Sequence, residues 1–296
     1  MSTAPARYER NIRLFGEEGQ RRLREARTAV MGVGGLGSPL VLHLALLGVG
    51  SVTLVDDEEL DETNRNRFVG ARHDDPVPGS PKVELAARLI REVNPDVSAV
   101  PLMHNLVSAE AFKAVQEADW VFGCFDEDGP RFILNELCAA YAKPYIDLAS
   151  DIPADGVYGG QIRVALNGNG CLICLGKLDE QDVRRYLATE EERAHEDEMY
   201  GIPRGVLGET GPSVSPVNGV VAALAGTEFM VAVTGMRAPT MLMEYRGDES
   251  KVRVISDEPQ ADCPYCKGIW GKAKEADVER YLNMPHLRSR ARALNP

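Results

Sequence analysis

Two sets of residues in this chain could do chemistry, one suited to phosphate and one to a metal ion. The first opens with Gly32-Val-Gly-Gly-Leu-Gly37, a G-x-G-x-x-G pattern between a short apolar run and a longer one. Glycines let a backbone turn tightly and approach a phosphate, while a helix start offers free N–H groups and a positive dipole end. Asp56 ends the next apolar run, where an acidic side chain can take a ribose hydroxyl. Asn64, Arg67 and Lys82 follow, and Asp126 closes a later apolar run. One helix end can nearly satisfy a pyrophosphate. A triphosphate with Mg2+ carries more charge and calls for Arg and Lys contacts plus a carboxylate for the metal.

The second set is Cys171-Leu-Ile-Cys174 and Cys263-Pro-Tyr-Cys266. Each C-x-x-C pair can bring two thiolates to one ion, and four thiolates close a tetrahedral zinc shell. No position is left for water, so this zinc is expected to be structural, stapling segments distant in the chain. The other two cysteines, Cys124 and Cys138, fall at a buried strand end and on an apolar helix face. Thiols there pack rather than react. The five histidines show no metal-binding spacing.

These residues need elements to hold them. Thr28 to Met31, Ser51 to Val55, Val97 to Leu102, Trp120 to Phe125 and Pro144 to Ala149 read as strands. Between them, Pro39 to Leu47, Lys82 to Val93, Ala109 to Glu117 and Arg131 to Tyr141 read as helices. Such alternation predicts a Rossmann-like α/β fold, a doubly wound and mainly parallel sheet covered on both faces. Ahead of it, Tyr8 to Ala26 reads as an arginine-rich helical arm anchored by Ile12, Phe15 and Leu23. Past about residue 150 the pattern changes. Val157 to Leu166, Thr240 to Tyr245 and Lys251 to Ser256 read as an antiparallel extension, with an acidic segment (179–199) and a long apolar helix between. The halves 1–150 and 151–296 are expected to share one sheet, so residues 1–296 are read as a single domain. Thr189-Glu-Glu-Glu-Arg193 is expected to be a solvated face or loop, and the arginine-rich tail from His286 to be unstructured.

The totals narrow the class. Hydrophobic residues make up 44% and charged residues 26%, as in a globular protein with a sizeable core. A net charge of −12 excludes a nucleic-acid binder that relies on a cationic surface. No apolar run near the N-terminus suits a secretory signal. Six cysteines in a chain of this length, four of them in metal-type pairs, point to a reducing, cytoplasmic compartment. The stretch 214–235 is the most membrane-like, but it contains Pro216, Asn218, Thr227 and Glu228 and is expected to be a buried helix.

Taken together, Arg7-Tyr-Glu-Arg-Asn-Ile12, the glycine run, Val55-Asp56, Asn64-x-x-Arg67, Pro81-Lys-Val83 and Cys124-x-Asp126 resemble the ubiquitin-activating-enzyme superfamily. Its bacterial ThiF/MoeB branch, which adenylates sulfur-carrier proteins, is the most similar. The resemblance runs in order from about residue 7 to 268. It implies that Asp56 holds the ribose and that the loop Gly32, Gly34, Gly35, Gly37 packs on ATP. Asn64, Arg67 and Lys82 would contact the phosphates, and Asp126 would bind Mg2+. Arg10 would reach across a homodimer interface into the partner's site, with Arg131 lining the same pocket. The partner implied is a ubiquitin-like or sulfur-carrier protein ending in Gly-Gly. One position departs, Glu127, where the family usually has Asn.

The implied reaction is attack of a carboxylate on the α-phosphorus of ATP, giving an acyl-adenylate and pyrophosphate. No general base is needed, because a carboxylate is already ionised at neutral pH. Many members then pass the acyl group to a cysteine just before the long apolar helix. Here no cysteine occurs between Leu175 and Asp262, so activation is expected to stop at the adenylate. Two other activities share parts of this pattern: adenylation of a short ribosomal peptide, and NAD-dependent oxidoreduction.

Overall fold

The computed structural model describes residues 6–154, 156–194 and 213–287. Helix α1 (Glu9–Glu25) is broken at Gly16, whose φ of 76° lies outside helical space, so the expected arm is two short helices. Next come β1 (Arg27–Met31), α2 (Gly37–Leu47), β2 (Ser51–Val55), α3 (Lys82–Val93) and β3 (Ser98–Leu102). Then follow α4 (Ala109–Glu117), β4 (Trp120–Gly123), α5 (Asp128–Ala140), β5 (Tyr145–Ala154) and β6 (Val157–Ala165). The second half adds α6 (Glu180–Leu187), α7 (Ser215–Thr234), β7 (Leu242–Arg246) and β8 (Lys251–Val254).

All eight strands form one sheet in the order β3-β2-β1-β4-β5-β6-β7-β8. The first five run parallel, and β6 to β8 continue the sheet antiparallel. This is the doubly wound architecture with an antiparallel extension that the alternation predicts. Strand order reverses between β1 and β4, and in such sheets the crevice at the carboxyl ends of the strands flanking that reversal is where ligands bind.

Local sequence explains the borders. Ser108 accepts the Ala111 N–H at 3.1 Å and caps α4. Gly48 takes a left-handed conformation (φ 73°) to end α2, and Gly235 (φ 77°) does the same for α7. β4 stops at Gly123, short of the expected Phe125, which leaves Cys124 to Glu127 as a turn at the strand's carboxyl end. β5 runs past the expected Ala149 to Ala154 because it pairs with β6 over that whole length.

One face of the sheet is covered by α2, α3 and α7, with Leu40, Leu44, Val83, Ile90, Val221 and Phe229 fully buried. The other carries α4 and α5 around Phe112, Ile133, Leu134 and Leu137. Burying each such side chain is worth about 1.5–3 kcal/mol relative to leaving it in water. α7 is the one described helix long and apolar enough to cross a membrane. It packs on α2, β5 and β6, as a core helix does.

The second half differs from expectation in two details. Thr189 and Glu192 exchange bonds (Glu192 N–H to Thr189 Oγ1 at 3.3 Å, Thr189 N–H to Glu192 Oε2 at 2.8 Å), a capping box on the exposed run. The tail does not begin unstructured. His286 Nε2 lies 2.9 Å from the Leu187 carbonyl oxygen and Leu287 is fully buried; residues 288–296 lie outside the described residues.

Candidate active site and metal centre

The glycine loop turns between β1 and α2 and is built for close approach. Gly32 sits at φ 87°, and a Cβ there would lie 2.9 Å from the Cys124 carbonyl oxygen. A Cβ on Gly37 would lie 2.1 Å from the Gly32 carbonyl oxygen, so both positions admit only glycine. Gly34 has nothing within 4 Å of such an atom, leaving the loop tip open. Gly35 is approached by the aliphatic stem of Arg67 and by the amide of Asn218. The turn therefore holds Cys124, and with it the segment leading to Asp126, directly behind the loop.

Asp56 emerges from β2 onto the same loop. Its carboxylate accepts the Val33 N–H at 2.7 Å and the Glu58 N–H at 2.9 Å. Desolvation pushes this carboxyl up to about 6, against the opposing pull of Lys82. A raised value means that ionised Asp56 costs the nucleotide-free protein stability. Its favourable contribution is present at low pH and is lost as pH rises through about 6. If ribose hydroxyls donate to the ionised form, as the resemblance implies, ATP binding weakens as pH falls through the same range. KM for ATP should rise about tenfold between pH 7 and pH 5, where roughly nine-tenths of Asp56 would be protonated. An Asp56→Asn variant should bind ATP poorly with a flat profile; an unchanged slope in that variant would assign the titration elsewhere.

Lys82 opens α3, with its N–H bonded to the Glu58 carbonyl at 3.0 Å and its side chain only 7% exposed. Its ammonium is ion-paired with the Glu58 carboxylate. Arg67 is half-buried and donates to the Thr63 carbonyl at 2.7 Å. Asn64 serves the turn before it, its Oδ1 accepting the Asp61 N–H at 3.4 Å. The excursion that joins Arg67 to Lys82 is tied down by Arg88. That residue donates to both Asp75 carboxylate oxygens, at 2.6 and 2.7 Å, and to the Gly70 carbonyl at 2.9 Å. Arg88 holds the Asp75 carboxyl down to about 2.

Asp126 is exposed just past β4, beside the α5 N-terminus, with Glu127 at the N-cap position. A single carboxylate next to a phosphate site suits Mg2+, which keeps most of its waters and takes one or two protein carboxylates plus substrate oxygens. The structure thus brings together the glycine loop, Asp56, Arg67 and Lys82. Two further expected residues have these surroundings. Arg131 is buried, its guanidinium donating to Asp147 at 2.6 and 3.1 Å and ion-paired with Asp128 at 2.5 Å. Arg10 is exposed on α1.

Three neighbours carry no motif. Glu58 matters through its grip on Lys82, Asp147 through Arg131, and Asn218 through its position over Gly35. Only the folded chain reveals those pairings, although the acidic residues crowded after Asp56 could have flagged a local counter-ion for Lys82.

The four paired cysteines gather into one buried cluster, all sulfurs within 4.8 Å of one another. Cys171 and Cys263 sulfurs are 3.8 Å apart, Cys174 and Cys266 sulfurs 3.9 Å. Four sulfurs about 2.3 Å from a tetrahedral zinc would be separated by about 3.8 Å, so the set fits that ion. The knuckle also reaches α5, where the Leu172 N–H donates to Asn135 Oδ1 at 3.1 Å. Cys124 and Cys138 are 8% and 2% exposed, and burial pushes both thiols well up, away from the reactive thiolate.

Comparison with known proteins agrees with this geometry. The chain is 37% identical over 265 residues to the SAMP-activating enzyme E1 of Haloferax volcanii, covering 88% of each. It is 30% identical over 267 residues to the sulfur carrier protein ThiS adenylyltransferase of Escherichia coli, covering 88% of this chain and 95% of that one. In fold it is similar to E. coli MccB, with a TM-score of 0.70 over 90% of this chain and 73% of that chain, at 22% identity. Residues 8–265 match the ThiF family model, and the chain therefore belongs to the ThiF family of adenylyltransferases.

Proposed function

We propose that this chain adenylates the C-terminal carboxylate of a ubiquitin-like or sulfur-carrier protein ending in Gly-Gly, using ATP and Mg2+. The observation that supports the reading is the grouping of Asp56 and Arg67 on the glycine loop, with Lys82 close enough to Asp56 to act on its charge. The names of the two relatives above, one activating a sulfur carrier and one activating SAMP, favour a small protein as the acyl donor. The reading takes residues 1–296 as one adenylation domain in a reducing, cytoplasmic setting, where the four paired cysteines can hold a metal as thiolates.

Asp56 would accept the ribose hydroxyls while the glycine loop admits the nucleotide backbone-close. Lys82, Arg67 and Asn64 would neutralise and orient the phosphates, and Arg10 of a second subunit would complete that set in a homodimer. Arg131, held by Asp128 and Asp147, would line the same pocket. Bound Mg2+ would draw charge off the phosphate oxygens. The incoming carboxylate then forms a bond to the α-phosphorus as the bond to pyrophosphate breaks, with positioning and charge neutralisation supplying the rate. With Cys124 and Cys138 buried, the adenylate would be the end point on the enzyme, left for a separate thiol, amine or sulfur donor.

The test is ATP–pyrophosphate exchange with a small Gly-Gly-terminated carrier, the same carrier lacking its last glycine, and a short ribosomal peptide. Exchange is expected only with the intact carrier, and mass spectrometry should find no reducible carrier–enzyme adduct. Exchange with the peptide alone, or a thioester adduct, would overturn the assignment.

A further inference from the structure

Arg163 is a buried cation with no carboxylate partner. It stands on β6 and is 4% exposed, and no Asp or Glu oxygen among the described residues lies within ion-pair distance. Its Nη1 donates to the Met241 carbonyl at 2.8 Å and its Nη2 to the Asn169 carbonyl at 3.1 Å, while its Nε has no acceptor. Two carbonyl dipoles do not offset a unit charge taken out of water.

The guanidinium lies against the segment that enters the cysteine cluster. A Cβ on Gly170, the residue before Cys171, would sit 2.2 Å from Nη2, so glycine there is what lets the charge come so near. The negative groups that face Arg163 are the sulfurs of Cys171, Cys174 and Cys266 and the carboxylate of Asp257. Asp257 is itself paired with Lys177 at 3.0 Å. The other charge close by is Asp147, across from Arg163 in the β5–β6 register, and Arg131 already occupies it.

Four thiolates around a zinc dication leave the cluster with two negative charges. We propose that Arg163 is the resident counter-charge of the cysteine cluster, a positioning residue that acts on zinc retention through its field. The two carbonyls orient the guanidinium, and its missing carboxylate is accounted for by a cluster whose charge is spread over several sulfurs. A single closer carboxylate would instead compete with the thiolates for the guanidinium's charge. The proposal rests on the cysteines holding zinc, but not on the adenylation reading.

The test follows transfer of zinc from purified full-length protein to a chromogenic chelator, comparing wild type with Arg163→Lys and Arg163→Gln. Wild type should start with one zinc per chain. Arg163→Gln, neutral and ending two bonds short of the atoms that reach the carbonyls, should lose zinc at least about tenfold faster, and its acid-driven zinc release should move to higher pH. Arg163→Lys, which keeps the charge and loses the fork, should stay within about threefold of wild type. A carbonyl-bonding role alone predicts a lower melting temperature for Arg163→Gln with the pH of acid-driven zinc release unmoved, so an unmoved release pH, equal rates for wild type and Arg163→Gln, or rapid loss from Arg163→Lys would overturn the proposal. If Arg163→Gln does not fold, the Arg163→Lys rate decides alone. Wild type free of zinc would remove the premise, whatever the outcome of pyrophosphate exchange.

Discussion

Replacing Lys82 by alanine is expected to lower ATP–pyrophosphate exchange by about 100- to 1,000-fold, the loss typical of one preorganised charge stabiliser. Its side chain is nearly inaccessible to water and sits at the first turn of α3, close enough to Asp56 to act on its charge. At an effective dielectric of about 20, a unit charge 4 Å from a phosphate is worth about 4 kcal/mol, which corresponds to that range. The variant should stay folded. Its ion-pair partner Glu58 is 56% exposed and remains hydrated when the lysine goes, so no buried charge is stranded. Glu58 would then face the triphosphate unopposed, and adding Glu58→Gln to Lys82→Ala should recover part of the loss. The comparison needs exchange rates and melting curves for both variants. Exchange within threefold of wild type in the single variant would remove Lys82 from the machinery.

Cys263→Ser is expected to release zinc and lower the melting temperature by about 10 °C or more. Loss of a structural metal belongs to the class of changes costing more than about 4 kcal/mol, and each kcal/mol moves a domain of this size by roughly 2–4 °C. The cluster ties the turn after β6 to the segment after β8, and through Leu172 it fastens that turn to Asn135 of α5. Residues from the C-terminal region, Tyr281 and Leu287, share the core that Leu172 enters, so loosening the knuckle should free them as well. Elemental analysis and calorimetry on the same sample decide the matter. Full zinc content with an unchanged melt would mean that three sulfurs suffice and that the fourth is dispensable.

Much of the parallel half was legible because its signals are local. Ser51–Val55, Lys82–Val93 and Ala109–Glu117 appear with the borders that apolar spacing gives, helped by Pro81 before α3 and the Ser108 cap before α4. The glycine loop and the cysteine pairs were legible for a similar reason, since spacing there is the chemistry. What spacing does not carry is partnership. β5 looked short because Ser150 and Asp151 are polar, yet pairing with β6 extends the strand through them. Arg131 looks in sequence like any cation near the nucleotide, whereas in the fold two carboxylates claim it. The cap formed by Thr189 and Glu192 follows the T-x-x-E pattern, which the surrounding run of acids masks.

The Glu58–Lys82 contact gives the resting crevice an internal salt of its own. A nucleotide whose phosphates take up the lysine as proposed would first displace a carboxylate, so entry would be an exchange of anions rather than the capture of a bare cation. A ligand with several negative charges wins that exchange easily, and one with a single phosphate gains little over the side chain it evicts. The same contact that delays ATP would therefore help to clear AMP.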